Sequence, residues 1–310
     1  MADIKLFSGT SHPQLAQEVA HKMSLPLSKA EVVRFDDSEV KVTIQEDVKD
    51  QICVVIQSTC NPTDMNYMEL FMFCDALKRC EAKKIVAVIP LFGYARQNTQ
   101  HRPGECVSLH VAVKFLETVG FDEVLTFDIH EVASTGIFSV PFTNLVGADV
   151  LAPAVKDYLG EKCTKENVVM VTPDQEGIER ARDFGEKLFN GTDFETATVS
   201  KKRNLDAMHQ SQAVELFGDV TGKTVVIVDD ICTSGGTLIH AAELCLQKGA
   251  KNALAAVTHA DFSTDAPQKL QSSPIEVVFT TNTIPLQNSA KFDKLKEISV
   301  ADSIVQKLTV

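Results

Sequence analysis

The chain has 310 residues, of which 44% are hydrophobic and 23% charged, and these proportions exclude an intrinsically disordered protein. It carries 30 basic and 42 acidic side chains, and the net charge of −12 argues against a general surface for nucleic acid or anionic membrane. The amino-terminal residues lack the basic and apolar regions of a signal peptide, and no apolar run reaches a membrane-spanning length, so we expect a cytoplasmic protein.

Apolar, β-branched runs alternate with amphipathic stretches along the chain, which is typical of βαβ units and a parallel sheet. The predicted strands are Cys53–Gln57, Ile85–Pro90, Val124–Asp128, Val168–Pro173, Val225–Asp230 and Ala253–Thr258. The predicted helices between them are Met65–Arg79, Ser108–Val119, Gly177–Leu188 and Gly236–Gln247. Because the two halves repeat one order, we expect two similar α/β domains, 1–145 and 146–310. The final helix, Val300–Leu308, is a candidate to pack back on the first domain.

Polar residues follow two strands of the first half. Arg96 and Gln97 come after Ile85–Pro90 and precede a polar loop, 98–105. Arg96 suits a nucleotide phosphate, and a surface salt bridge is the alternative. Asp128 and His130 stand at the end of the next strand and, as strand positions i and i+2, are expected to face the same side, where they would orient a Mg²⁺–triphosphate. The alternative for this pair is a purely structural hydrogen bond.

A dense basic cluster, Ser200-Lys201-Lys202-Arg203, follows the predicted strand Glu195–Val199. Basic residues on a hairpin suit a charge clamp over a phosphoryl-transfer transition state, whereas a solvated surface run is the default interpretation. The eight cysteines contain no C-x-x-C pair, so we expect buried, reduced thiols.

The strand Val225–Asp230 ends in two acids, and a turn of small residues leads directly into a helix. Glycines let backbone N–H groups approach an anion, and hydroxyls and the helix N-terminus add to the attraction. We therefore expect a sugar phosphate here, its phosphate in the turn and its hydroxyls on the acids; helix capping by the acids is the alternative. The residues concerned are Asp229, Asp230, Thr233, Ser234, Gly235, Gly236 and Thr237.

Over almost its full length the sequence resembles the ribose-phosphate pyrophosphokinase family. The segments that carry the resemblance are Leu6–Thr10, Arg34–Val40, Gln57–Thr59, Met68–Leu70, Gly93–Gln97, Asp128–His130, Pro173-Asp174, Lys201–Arg203, Gly218–Val220, Val228–Thr237, Thr258-His259 and Asn282–Pro285. The resemblance implies two phosphoribosyltransferase-like domains. It also implies transfer of the β,γ-diphosphoryl group of ATP to the 1-hydroxyl of ribose 5-phosphate, with Mg²⁺.

The resemblance also implies roles for individual residues. Phe35, Asp37 and Glu39 would reach the adenine of a neighbouring subunit in a homo-oligomer, a dimer-based hexamer or tetramer. Arg96, Gln97 and His130 would bind ATP, and His130, Asp174 and Asp128 would serve the metal and its phosphates. Lys201 and Arg203 would clamp the transition state. Asp229, Asp230 and the loop Thr233 to Thr237 would hold ribose 5-phosphate.

The chain departs from the family pattern at several places, which keeps other functions open. Residues 98–105 replace a run of basic residues, Thr233 replaces an acid, Gln175-Glu176 interrupts a Gly-rich turn and Ser38 replaces a glycine. One alternative is a catalytically weak homologue that regulates active subunits. Another is a phosphoribosyltransferase acting on a base, although that activity needs only one such domain.

Allosteric control by ADP is expected to be weak or absent. In family members with this control, the site uses an arginine at the position of Lys49 and a tail after the final helix. Here Lys49 is followed by Asp50, and the sequence ends at Val310. An arginine can bind a phosphate through two parallel hydrogen bonds, whereas Lys49 offers a single point charge, and Asp50 beside it repels phosphate.

Overall fold

The computed structural model describes residues 4–201 and 214–309. These residues form two compact units. The first contains the chain up to Val146, together with Thr283–Pro285 and the segment from Ser299 onward. The second contains Gly147–Asn282 and Leu286–Ile298. The second unit thus stops before the end of the chain, because the last helix packs with the first unit.

The first part of the chain supplies seven strands and three helices. The strands are β1 (Ile4–Ser8), β2 (Ala30–Arg34), β3 (Val40–Ile44), β4 (Ile52–Ile56), β5 (Lys84–Ile89), β6 (Glu123–Phe127) and β7 (Phe142–Leu145). The helices are α1 (Pro13–Lys22), α2 (Thr63–Arg79) and α3 (Ser108–Val119), and a 3₁₀ helix covers Val132–Ile137.

The later part supplies seven strands and five helices among the described residues. The strands are β8 (Val168–Thr172), β9 (Thr196–Lys201), β10 (Val214–Phe217), β11 (Thr224–Cys232), β12 (Asn252–Ala260), β13 (Val278–Thr281) and β14 (Leu295–Ile298). The helices are α4 (Ala148–Leu159), α5 (Ile178–Phe189), α6 (Gly236–Gln247), α7 (Ala266–Ser272) and α8 (Ala301–Thr309), and 3₁₀ turns cover Gly160–Lys162 and Asn288–Ala290. Helix α8 contacts α1 of the first unit.

Each unit contains one mainly parallel sheet. In the first unit the strand order is β1-β4-β5-β6-β7, and every pair is parallel. In the second the order is β10-β9-β8-β11-β12-β13-β14, and only β9 and β10 pair antiparallel. The central strands are buried on both faces, as continuous apolar runs in parallel sheets require. Amphipathic spacing buries one stripe of α3, and Gly120, with φ +108°, ends that helix.

Strands β2 and β3 form a separate antiparallel hairpin whose β3 strand packs against α2. This hairpin was not predicted, because its short strands are only partly buried and give no apolar run. Its tip is Phe35–Glu39, where the Phe35 N–H donates to the Glu39 carbonyl at 2.9 Å. The turn places Ser38 at φ +72°, a conformation that favours glycine.

The six predicted strands are confirmed, with shifts of one or two residues at their ends. Two shifts affect the site: β6 ends at Phe127 rather than Asp128, and β11 continues to Cys232. The expectation of uniformly buried thiols is wrong, because Cys106 is exposed and Cys80 and Cys163 are half-buried, although all eight cysteines are free. Within the described residues, no helix is long and apolar enough to cross a membrane.

A buried carboxylate joins the ends of β1 and β4 in the first unit. Glu69, on α2, is 1% exposed and accepts the backbone N–H and the hydroxyl of Thr10, each at 2.6 Å. It also accepts a hydrogen bond from Gln57 Nε2 at 3.1 Å. The other side-chain atom of that amide, Gln57 Oε1, accepts hydrogen bonds from the backbone N–H and the hydroxyl of Ser11, at 3.0 and 2.7 Å. Arg34 of the hairpin lies 4.0 Å from Glu69. Three of the segments that carry the family resemblance therefore meet in one hydrogen-bond network.

We predict that Glu69→Ala destabilises the first unit by about 3 kcal/mol, because it removes the acceptor shared by the buried Gln57 amide and the two donors of Thr10. Urea unfolding followed by circular dichroism measures this loss. The matched control is Asp75→Ala on the same helix, whose exposed carboxylate pairs only with Arg79 among the described residues and should change stability by less than about 1 kcal/mol. Equal effects of the two substitutions would contradict the role assigned to the network.

Candidate active site

In the second unit, the turn after β11 forms an open cradle for an anion. Helix α6 begins at Gly236, and its first intrahelical bond runs from Ile239 N–H to the Gly235 carbonyl at 3.0 Å, so earlier N–H groups have no acceptor within the helix. Gly235 has φ +76°, and a Cβ there would lie 3.1 Å from Leu270. Ser234 and Thr237 are exposed. Backbone donors, hydroxyls and the helix N-terminus thus converge as the sequence predicted.

Two acids of β11, Asp229 and Asp230, come before this turn in the chain; the first is partly buried and the second is fully buried. Asp230 is 3% exposed and Asp229 is half-buried, and the Asp230 N–H donates to Asp229 Oδ1 at 2.9 Å. Burial and the neighbouring Asp230 carboxylate raise the pKa of Asp229 to about 8. The pair therefore holds a proton more readily than exposed carboxylates do.

A charged residue that the sequence analysis missed lies beside these acids. Arg180 Nη1 is 3.5 Å from Asp229 Oδ1 and 3.4 Å from Asp230 Oδ1. Arg180 is the third residue of α5, where the helix dipole disfavours a cation. That unfavourable placement was the one available signal in the sequence, but the partner is a strand about fifty residues away in the chain.

Asp174 lies directly after β8, in a turn held by hydrogen bonds. The Gly177 N–H donates to Asp174 Oδ1 at 3.0 Å, and the Thr172 hydroxyl donates to the Asp174 carbonyl at 2.8 Å. Gly177 has no room for a side chain, because a Cβ would lie 2.3 Å from Thr172 Oγ1. The Asp174 side chain is exposed, so the turn presents a carboxylate at the carboxyl end of the sheet.

In the first unit, the segment after β5 presents Arg96 and Gln97 on a fixed turn. Tyr94 has φ +65°, stacks on Tyr67 with ring centroids 5.8 Å apart and donates its hydroxyl to Asp64. Arg96 is exposed and forms no ion pair with the described residues. The Gln97 side chain accepts the Ser108 hydroxyl at the start of α3.

The polar loop 98–105 is organised by its own acid. Glu105 Oε2 accepts the backbone N–H groups of His101 and Arg102, each at 3.0 Å. The loop contains no helix or strand, as predicted. The structure thus places a carboxylate where the family pattern has several basic residues.

The interpretation of Asp128 and His130 needs a correction. Strand β6 ends at Phe127 and Asp128 has φ +33°, so the two side chains do not share a strand face. Instead, the Ile129 N–H donates to Asn144 Oδ1 at 2.9 Å, and Asp128 and His130 are both half-buried after the strand. They still follow a central parallel strand at its carboxyl end, the usual place for ligands in such sheets.

Phe35, Asp37 and Glu39 form the exposed tip of the β2–β3 hairpin. Phe35 is 46% exposed, with Lys41 Nζ 5.9 Å from its ring centroid, and the Glu39 N–H donates to Asp37 Oδ1 at 3.2 Å. An exposed ring on the same tip as two acids is a surface that a ligand or a second molecule can contact.

Lys202 and Arg203 lie outside the described residues, as does the side chain of Lys201. Lys201 is the last residue of β9 and pairs with Val214 of β10 in an antiparallel register. Strand β9 thus runs two residues beyond the predicted end at Val199, and the first two residues of the cluster, Ser200 and Lys201, belong to it. The role of the cluster as a clamp stays a prediction.

No group of three or more His, Cys, Asp or Glu side chains is placed to hold a metal ion in residues 4–201 and 214–309. The metal role expected for His130, Asp174 and Asp128 stays a prediction. Mg²⁺ is commonly bound through one or two carboxylates plus substrate phosphates, and it keeps several waters. Exposed Asp174 and half-buried Asp128 fit that mode of binding.

Lys49 is already paired in the structure. Its ammonium contacts the Glu81 carboxylate, and the Asp50 N–H donates to the Glu81 carbonyl at 3.0 Å. An exposed pair contributes little to stability, but Glu81 adds a second negative charge near this lysine. The expectation of weak allosteric inhibition by ADP stays a prediction.

Comparison with known proteins gives matches along almost the whole chain. A model of the N-terminal domain of ribose phosphate pyrophosphokinase matches residues 4–120, and a model of the phosphoribosyl synthetase-associated domain matches residues 190–308. The ribose-phosphate pyrophosphokinase of Pasteurella multocida is 40% identical over 308 residues, covering 99% of this chain and 95% of that protein. A chloroplastic ribose-phosphate pyrophosphokinase of Arabidopsis thaliana is 38% identical, covering 96% and 73%. The crystal structure of phosphoribosylpyrophosphate synthetase from Mycobacterium smegmatis matches with a TM-score of 0.90 at 30% identity, covering 99% of this chain and 98% of that one.

We predict that Asp229→Asn stabilises the protein more at pH 8 than at pH 5. The folded-state pKa of Asp229 is raised from 3.8 to about 8, so the unfolded chain releases a proton that the folded chain keeps, and wild-type stability falls as the pH rises through that window. The asparagine side chain of the variant cannot ionise, so the variant does not lose stability in this way. At pH 8 its free energy of unfolding should exceed that of the wild type by at least about 1 kcal/mol, which corresponds to several degrees in melting temperature.

Urea unfolding at both pH values measures the difference. The control is Asp219→Asn, because the backbone N–H of Thr221 lowers the pKa of that exposed carboxylate and no such gain is expected. A less stable Asp229→Asn at pH 8 would show that the acid pair carries no like-charge penalty.

Proposed function

The chain belongs to the ribose-phosphate pyrophosphokinase family, and we propose that its second unit binds ribose 5-phosphate at Asp229, Asp230 and Thr233 to Thr237. The enzyme transfers the β,γ-diphosphoryl group of ATP to the 1-hydroxyl of ribose 5-phosphate, giving phosphoribosyl pyrophosphate and AMP. The observation that carries the assignment of the sugar site is the anion cradle at the N-terminus of α6, placed directly after a buried acid pair.

The chemistry of the two parts of this site matches the two ends of the sugar phosphate. The 5-phosphate suits the N–H groups and hydroxyls of Ser234 and Thr237, which also face the positive end of the helix. The ribose hydroxyls suit the carboxylates of Asp229 and Asp230, because ionised carboxylates are acceptors only. Fixing both ends would orient the 1-hydroxyl for in-line attack without a covalent intermediate.

The first unit supplies the ATP contacts in this proposal. Arg96 is exposed and unpaired among the described residues, so its guanidinium is available for a bidentate contact with a phosphate. Gln97 is held by Ser108, and His130 follows the neighbouring strand β6. Lys201 and Arg203 would act later, by stabilising negative charge that redistributes during transfer.

Mg²⁺ is the proposed metal. Asp128 of the first unit and Asp174 of the second each offer carboxylate oxygens of the kind that this cation binds together with substrate phosphates. When bound, it would neutralise charge on the transferred diphosphoryl group. His130 is better suited to a phosphate contact than to direct ligation, because Mg²⁺ prefers oxygen.

A homo-oligomer, a dimer-based hexamer or tetramer, is proposed because the exposed hairpin tip bears Phe35, Asp37 and Glu39. In the family, residues at these positions reach the adenine of a neighbouring subunit. The compartment proposed is the cytoplasm, which agrees with eight cysteines that form no disulfide.

The catalytic assignment predicts a specific kinetic defect. Lys201→Ala or Arg203→Ala should lower kcat on the order of 10²-fold or more and change KM far less, because the lost charges act mainly in the transition state. Release of AMP from ATP, with and without ribose 5-phosphate, measures the activity. Lys202→Ala, between the two, is the control and should retain most of the wild-type rate.

The same assay separates the alternatives. A regulatory homologue would release no AMP alone but would change the activity of an added active synthetase. A base phosphoribosyltransferase would consume phosphoribosyl pyrophosphate only when a base is added. Near-normal kcat in both Lys201→Ala and Arg203→Ala would show that the clamp is misassigned.

Shared ATP sites predict complementation between two inactive variants. Co-expressed Phe35→Ala and Asp229→Ala subunits should recover at most about a quarter of wild-type activity, since random mixing pairs an intact tip with an intact sugar site in about one site in four. The control pair, Phe35→Ala with Glu39→Ala, should recover none, because every tip is defective. Full activity from a verified monomer would rule out sharing.

A further inference from the structure

The Arg180 guanidinium lies close to both acids of the proposed sugar site. Its Nη1 atom is 3.4 to 3.5 Å from one oxygen of each carboxylate, and its side chain is only 22% exposed. A guanidinium in the first turn of a helix faces the positive end of the dipole, so this position is unfavourable without a compensating anion. Asp229 and Asp230 provide that compensation, which links α5 to the end of β11.

A nearby cation helps both carboxylates of the acid pair to accept hydrogen bonds from the sugar. Two carboxylates buried side by side tend to share a proton, because neither charge is well solvated and each repels the other. A shared proton removes acceptor capacity that a sugar diol requires, since each hydroxyl donates one hydrogen bond. A fixed guanidinium reduces the repulsion and holds the Oδ1 atoms of both carboxylates in place.

We propose that Arg180 is a positioning residue for ribose 5-phosphate, which orients the Asp229–Asp230 pair to accept the sugar hydroxyls and favours its ionised form. The inference rests on the proposed sugar site at these acids. It assigns Arg180 no contact with the substrate; its effect passes through the two carboxylates.

The electrostatics of the pair agree with this role. Burial and Asp230 raise the pKa of Asp229, whereas the charge of Arg180 lowers it. Other titratable groups on the adjoining elements are buried His259 on β12, His240, Glu243 and Cys245 on α6, and Cys232 on β11, whose thiol has a pKa raised to about 12 by burial. Helix α5 itself also carries Glu179, Arg182, Asp183, Glu186 and Lys187. These groups are the same in every Arg180 variant, so differences between variants report on the arginine.

Direct binding of ribose 5-phosphate tests the proposal. Calorimetric titration in the presence of Mg²⁺ and a non-hydrolysable ATP analogue, from about pH 6 to about pH 9.5, gives Kd for each protein without turnover. Arg180→Gln should weaken binding about tenfold or more at neutral pH, and the loss should shrink as the pH rises, because the pair then ionises without help. Arg180→Lys keeps the charge and should fall between wild type and Arg180→Gln.

The matched control is Arg182→Gln on the same helix, whose exposed guanidinium pairs with Glu186 and should leave Kd unchanged at every pH. An Arg180→Gln protein with unchanged Kd, or one weakened equally at all pH values, would overturn the proposal. If Arg180→Gln does not fold, Arg180→Lys decides by the same criterion of a pH-dependent loss. A wild-type protein that binds no ribose 5-phosphate, or an Asp229→Asn variant that binds it normally, would refute the sugar site itself.

Discussion

Parallel pairing of the central strands is the constraint on which the site depends. When neighbouring strands run in one direction, every carboxyl end reaches the same edge of the sheet, and the segments that follow the strands are collected there. In the second unit this brings together the turn after β8 and the cradle after β11. In the first unit it does the same for the segments after β5 and β6. The interiors of the strands are apolar and buried, so the chemistry is confined to their ends.

Polar groups at a buried sheet edge must find partners, and the two units solve this problem in different ways. The first unit uses uncharged donors around Glu69, chiefly Thr10 and Gln57. The second places a guanidinium against two acids, since like charges in a poorly solvated place would otherwise take up a proton. The first arrangement contributes rigidity, whereas the second leaves carboxylate oxygens whose charge state depends on their surroundings.

The proposed ATP and ribose contacts differ in exposure, and that difference has chemical meaning. Arg96 and Phe35 are exposed, and under the proposal they gain contacts from a ligand or a neighbouring subunit. Asp229 and Asp230 are largely withdrawn from water before any ligand arrives, so their geometry is set in advance. Preorganised groups lose less freedom on binding, which suits the substrate whose hydroxyl must be aimed at a phosphorus atom.

The sequence by itself determined the α/β class, the six main strands and the small-residue turn before α6, because these follow from local hydrophobic periodicity and from short-range turn chemistry around Gly235. It failed where long-range contacts decide. The partly buried β2–β3 hairpin gives no apolar run, and the end of β6 at Phe127 is set by the φ of Asp128, which no spacing rule reveals. Glu69 and Arg180 read as ordinary charged helix residues. Only tertiary packing places Glu69 against Thr10 and Arg180 against Asp229, because side-chain partners far apart in the chain are chosen by the desolvation that folding imposes.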